Sequence, residues 1–93
     1  MLFRSRKPGY ADALTNLMEM AYASGNYMQA RAFVQRYLDS SQATAPVLLM
    51  CVNVETQLKN RDGADKCATR LRTGFQGSPE LAKLEEQQKR DGR

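Results

Sequence analysis

The sequence predicts an all-α fold, a solenoid of helix–turn–helix repeats. Three observations predict it. Ala30 and Ala64 lie 34 residues apart, each a small residue in the second helix of a pair. Apolar residues recur at helical spacing in successive segments, separated by short breaks. The same 34-residue step, taken backwards from position 42, reaches Pro8.

The register extends beyond the two alanines. A tetratricopeptide repeat (TPR) follows the pattern W-x2-L-G-x2-Y, then A-x3-F, then proline. With Ala30 as the small residue, Leu14 stands for the Trp, Leu17 matches the Leu, and Val34 follows Ala30 by four. A step of 34 carries Leu14 to Leu48, Leu17 to Cys51, Ala30 to Ala64 and Val34 to Ala68. The departures are Met18 for the glycine, Ala21 for the Tyr, Gln42 and Gln76 for the prolines, and Lys59 for the glycine between helices. The expected fold is therefore a TPR solenoid of about two repeats plus a C-terminal capping helix. Residues 1–8 read as the end of a preceding repeat, 9–42 and 43–77 as repeats, the second degenerate, and 78–93 as the cap.

The elements follow in order. Tyr10 to Ser24 carries Leu14, Leu17, Met18 and Ala21 as an i, i+3, i+4, i+7 set, which predicts an amphipathic helix. Gly25-Asn26-Tyr27 ends it, since glycine accepts a left-handed backbone. Tyr27 to Ser40 repeats the pattern with Tyr27, Ala30, Phe33, Val34, Tyr37 and Leu38. Residues 40–44 break the period, with Thr44 as cap of a helix led by Pro46. That helix is expected to reach Lys59 and to bury Leu48, Cys51, Val52 and Leu58. A fourth helix spans Arg61 to Phe75, with Ala64, Cys67, Ala68, Leu71 and Phe75 inward. Ser78 then caps a last helix with Pro79 at its first position; only Leu81, Ala82 and Leu84 are there to bury, and residues 91–93 are expected to fray.

Composition narrows the function. The net charge of +4 is divided evenly, +2 in residues 1–46 and +2 in 47–93, so no basic stripe marks a nucleic-acid footprint. Val47 to Val52 is the longest apolar run and is too short to cross a bilayer. Residues 1–7 contain no apolar core of a secretory signal, so the chain taken alone is expected to stay in the cytoplasm. Histidine is absent, and with it the usual general base and the commonest metal ligand. No phosphate-binding glycine loop occurs. The expectation is a non-enzymatic protein with no cofactor, no catalytic residues and no metal site. Cys51 and Cys67 favour two half-buried thiols behaving as small apolar residues, while a disulfide requires an oxidising compartment.

A TPR groove is lined mainly by first helices. The 34-residue frame places Asp12, Thr15, Glu19, Tyr22 and Ala23 there, then Leu49, Asn53, Thr56 and Gln57. Without clustered Lys or Arg, this set is unsuited to clamping an acidic C-terminal carboxylate. Tyr22 and Leu49 have two open readings, as anchors for a partner's apolar side chain or as packing between repeats. The first helix, beginning in mid-array, is expected to be adhesive and to support self-association.

Two stretches carry a more specific resemblance. The segment from Ala13 through Gly25-Asn26-Tyr27 to Leu38, with its QARAFVQRYLD run, is similar to the C-terminal half of the type IV pilus biogenesis lipoproteins, the PilF/PilW pilotins. So is NRDGADKCATRLRTGFQGSPEL, and the resemblance extends from about Pro8 to Leu84. It implies an all-α TPR protein on the periplasmic face of the outer membrane, held there by an N-terminal lipid. Its implied partner is the pilus secretin, which such pilotins help to reach that membrane and assemble. The lipid anchor has no counterpart in this chain, so it is expected to be the C-terminal part of a longer array, and its membrane contact would come only through that anchor. The alternatives are a TPR adaptor or secretion-chaperone module for an unrelated peptide, and a basic nucleic-acid-binding helical domain supported by charge alone.

Overall fold

The computed structural model describes residues 10–92, with side chains through position 90. Pro8 and the expected end of a preceding repeat at 1–8 lie outside the described residues. Among these residues there are five α-helices: α1 (Tyr10–Ala23), α2 (Tyr27–Ser40), α3 (Ala45–Gln57), α4 (Arg61–Gly74) and α5 (Pro79–Gly92). The chain divides after Gln42 into two compact units.

In the first unit α1 and α2 form a helical hairpin. Leu14, Met18 and Ala21 of α1 are buried, as are Ala30, Val34 and Tyr37 of α2. Each trio advances by four and then three residues, one apolar stripe per helix. Leu17 departs from the expected inner set and is 41% exposed. The stripe centres on Leu14, Met18 and Ala21, and Leu17 lies about 60° from Leu14 around the helix, beyond the sector that α2 covers.

The second unit adds a third helix. α3 packs on α4, and α5 packs on both. Val47, Leu48, Cys51, Val52 and Val54 of α3 meet Cys67, Ala68 and Leu71 of α4 and Leu81 and Leu84 of α5 in the buried core. Leu58 is only half-buried and Ala82 is exposed, against expectation. Cys51 and Cys67 form a disulfide across α3 and α4, with Cα atoms 6.1 Å apart. This corrects the preference for free thiols: the inner face of α3 and the second turn of α4 meet within the Cα span that a disulfide bridges.

Local chemistry accounts for the helix ends. Thr44 Oγ1 accepts from the Val47 N–H at 3.4 Å, and Ser78 Oγ accepts from the Leu81 N–H at 3.1 Å. Both are side-chain N-caps that satisfy an amide left open by the first turn. Ala45 precedes Pro46 in α3, so the proline occupies the second helical position. α5 runs to Gly92, past the expected fraying point, with Lys89 and Arg90 complementing the negative end of its dipole.

The α1–α2 and α3–α4 turns match residue for residue. Asn26 N–H donates to Ala21 O and Gly25 N–H to Tyr22 O; Asn60 N–H donates to Glu55 O and Lys59 N–H to Thr56 O. Each bond in the second turn is the first displaced by 34, and the bounds of α2 displaced by 34 are those of α4. Both are Schellman endings, which require a left-handed residue after the helix. α3 therefore stops at Gln57, short of the Lys59 expected from the pattern.

Candidate functional site

The residues expected to line a groove fall into two sets. Asp12, Thr15, Glu19, Tyr22 and Ala23 lie on α1 of the first unit, and Leu49, Asn53, Thr56 and Gln57 on α3 of the second. Within each set the steps of three and four put the side chains along one side of the helix.

On α1, Asp12, Glu19 and Ala23 are exposed, while Thr15 and Tyr22 are half-buried. Thr15 Oγ1 donates to the Ala11 carbonyl at 2.9 Å. The Tyr22 ring meets Tyr27 edge to face, centroids 5.3 Å apart. Such an edge-to-face contact between aromatic rings is favourable beyond the area it buries.

On α3, Leu49 and Asn53 are half-buried, and Thr56 and Gln57 are exposed. Thr56 Oγ1 donates to the Val52 carbonyl at 2.7 Å. The α1 strip bears two carboxylates and no cation, whereas the α3 strip bears no charge. Hydrogen-bonding and apolar groups of this kind suit a peptide or helix surface, and neither strip carries a nucleophile beside a base.

Among the described residues, no cluster of His, Cys, Asp and Glu has the geometry of a metal site, and no helix is long and apolar enough to cross a membrane. An open hollow of about 370 Å³ lies against Asp65, Lys66, Thr69 and Arg70, all on the outer side of α4. Its charged groups are one carboxylate, Asp65, and two cations, Lys66 and Arg70.

One polar feature escaped the sequence reading. Glu55 is 3% exposed in the second unit. Its Oε1 accepts from Asn60 Nδ2 at 2.9 Å, and Asn60 Oδ1 accepts from the Gly63 N–H at 3.3 Å. The chain therefore ties the end of α3 to the start of α4 through a buried carboxylate. Its signal was Gly63, a glycine inside a helix: a Cβ there would lie 2.9 Å from Glu55 Cδ and 2.8 Å from Asn60 Nδ2. The exposed side chains of Leu17, Met20 and Met28 are the other feature not anticipated.

No protein-family model matches the chain, and neither the curated proteins nor the solved structures give a significant match.

Proposed function

We propose that this chain is a non-enzymatic, TPR-type protein-interaction module of a pilotin-like protein that assists an outer-membrane pilus secretin. The observation that carries the reading is the 34-residue displacement relating the two inter-helix turns, hydrogen bond for hydrogen bond. A helix–turn–helix unit repeated at that period is the building block of a TPR array, whose use is to present helix surfaces to another polypeptide. The resemblance of the QARAFVQRYLD and SPEL segments to the pilotins directs that general role toward the secretin.

Two further observations support the reading. The Cys51–Cys67 disulfide suits an oxidising compartment such as the periplasm. The candidate strips on α1 and α3 carry hydroxyl, amide and apolar groups rather than a catalytic constellation. In this role Thr15, Tyr22, Leu49 and Asn53 contact the partner, and Asp12, Glu19, Thr56 and Gln57 form its polar margin.

The test is immobilised chain against detergent-solubilised pilus secretin, with a non-pilus secretin as control. Retention of the pilus secretin alone is expected. Equal retention of both, or of neither, defeats the pilotin reading, and selective capture of an unrelated extended peptide would favour the adaptor alternative.

A further inference from the structure

The 34-residue step does not stop at the two inter-helix turns. Val47 N–H donates to Thr44 Oγ1 at the start of α3, and Leu81 N–H donates to Ser78 Oγ at the start of α5. Leu48 N–H donates to Thr44 O, and Ala82 N–H to Ser78 O. Just before them, Ser41 N–H donates to Tyr37 O, and Phe75 N–H to Leu71 O. Each second bond is the first displaced by 34, and so are the first residues of the two helices, Ala45 and Pro79. In register, then, α5 is the first helix of a third repeat, as α3 is of the second.

Burial follows the same register within the second unit. Val47 and Leu81 are both buried, Asn53 and Gln87 both half-buried, and Thr56 and Arg90 both exposed. The candidate strip of α3, Leu49, Asn53 and Thr56, thus continues on α5 as Lys83, Gln87 and Arg90. α5 packs on α3 with Leu81 and Leu84 buried. Steps of four and three put Lys83, Gln87 and Arg90 along one side of α5, about 120° around the helix from that buried pair. Glu80, on the same side, lies in the first turn, and beyond it the strip is basic. Arg90 pairs with Glu86 at 3.6 Å, but both side chains are open to solvent, so the pair is readily exchanged.

We propose that α3 and α5 form one binding surface for an extended, acidic peptide segment. Leu49 offers apolar surface to one side chain of that segment. Asn53 and Gln87 each present a carboxamide, which both donates and accepts and so matches the backbone peptide unit above it. Lys83 and Arg90 flank Gln87 with cations, and charge complementarity assigns them carboxylates of the partner. The inference rests on the proposed function only in taking the α3 strip as a partner surface. It adds α5 to that surface and gives the partner segment a charge, acidic where it crosses α5.

The test is fluorescence anisotropy of the full chain with three labelled peptides of about ten residues. They share one leucine and differ at two later positions, which are both glutamate, both glutamine or both lysine. The glutamate peptide is expected to bind about threefold or more tighter than the glutamine peptide, an advantage that shrinks as salt is raised. Lys83→Glu with Arg90→Glu, both at exposed positions, should leave the circular dichroism unchanged and turn the preference toward the lysine peptide. Equal binding of the three peptides, binding of none, or a glutamate preference that survives the double variant overturns the proposal. Secretin retention is read separately: its absence with the glutamate preference intact defeats the pilotin reading alone, and the reverse defeats this one.

Discussion

Gly25 and Lys59 occupy the same place in two successive turns and the same left-handed backbone region, with φ of +82° and +63°. Each donates its N–H three residues back along the helix it ends, to Tyr22 O and Thr56 O. Glycine holds this conformation without penalty, and lysine holds it at a cost, because its Cβ crowds the following carbonyl. The turn at Lys59 is kept by its hydrogen bonds and by the packing of α3 on α4.

Lys59→Gly should therefore stabilise the chain by about 0.5–1 kcal/mol, the relief of strain less the entropy that glycine gains on unfolding. Gly25→Ala should destabilise it by about 1 kcal/mol. No atom lies within 4 Å of a Cβ built at Gly25, so strain is the whole of that effect. Urea denaturation of both variants checks the pair, and opposite signs are required.

The Cys51–Cys67 bridge spans a sequence separation of 16 residues. Loop closure of that length stabilises by about 3 kcal/mol in the chain-entropy account. Replacing both cysteines by alanine, or adding a reductant, should lower the melting temperature by about 10 °C or more in a domain of this size. Thermal melts followed at 222 nm with and without reductant, alongside mass measurement of the intact bridge, decide the matter. Superimposable melts would show that the bridge adds no stability.

Gly63→Ala tests the buried polar tie. Alanine favours helix by about 1 kcal/mol over glycine, yet here its Cβ meets the Glu55 carboxyl group and the Asn60 amide. Overpacking outweighs propensity, and the variant should be less stable by about 1 kcal/mol. Glu55→Ala alone should cost about 1–3 kcal/mol, since the Asn60 amide loses its acceptor. The double variant should be more stable than the two single losses together imply, because the Glu55 side chain is the obstacle. Strict additivity in that cycle would remove the steric explanation.

For the proposed partner surface, Glu19→Lys and Asn53→Lys change exposed and half-buried positions on α1 and α3. Neither is in a buried stripe, so stability should change by no more than about 0.5 kcal/mol. If these strips bind the secretin, the combined variant should lose about tenfold or more in affinity, mostly through faster dissociation. Surface plasmon resonance against the solubilised secretin reads both quantities, and an unchanged dissociation rate would place binding elsewhere on the chain.

By itself the sequence determined the elements. The five helices among the described residues lie within a few residues of the segments that apolar spacing and the Ser78-Pro79 start mark, and Thr44 and Ser78 act as the caps their side chains suggest. These are properties of neighbouring residues, decided within one or two turns of chain. The 34-residue step was legible in Ala30 and Ala64, whereas Lys59, a departure from the expected glycine, is seen to end its helix as Gly25 does only through the hydrogen bonds of the folded turn. Residue types likewise marked the candidate strips, because helical spacing alone puts Thr15 beside Glu19 and Leu49 beside Asn53.

Tertiary structure decided what lies beyond those turns. Leu14 and Leu17 are the same residue three positions apart, yet one is buried and the other exposed, because the orientation of α1 is set by the side chains of α2. Glu55 reads as an ordinary surface carboxylate until α4 brings Asn60 and Gly63 against it. Whether Cys51 and Cys67 pair depends on the distance between two helices, which no spacing along the chain specifies. Periodicity gives each helix an apolar face, but only the neighbouring helix settles which side chains on its margins are covered.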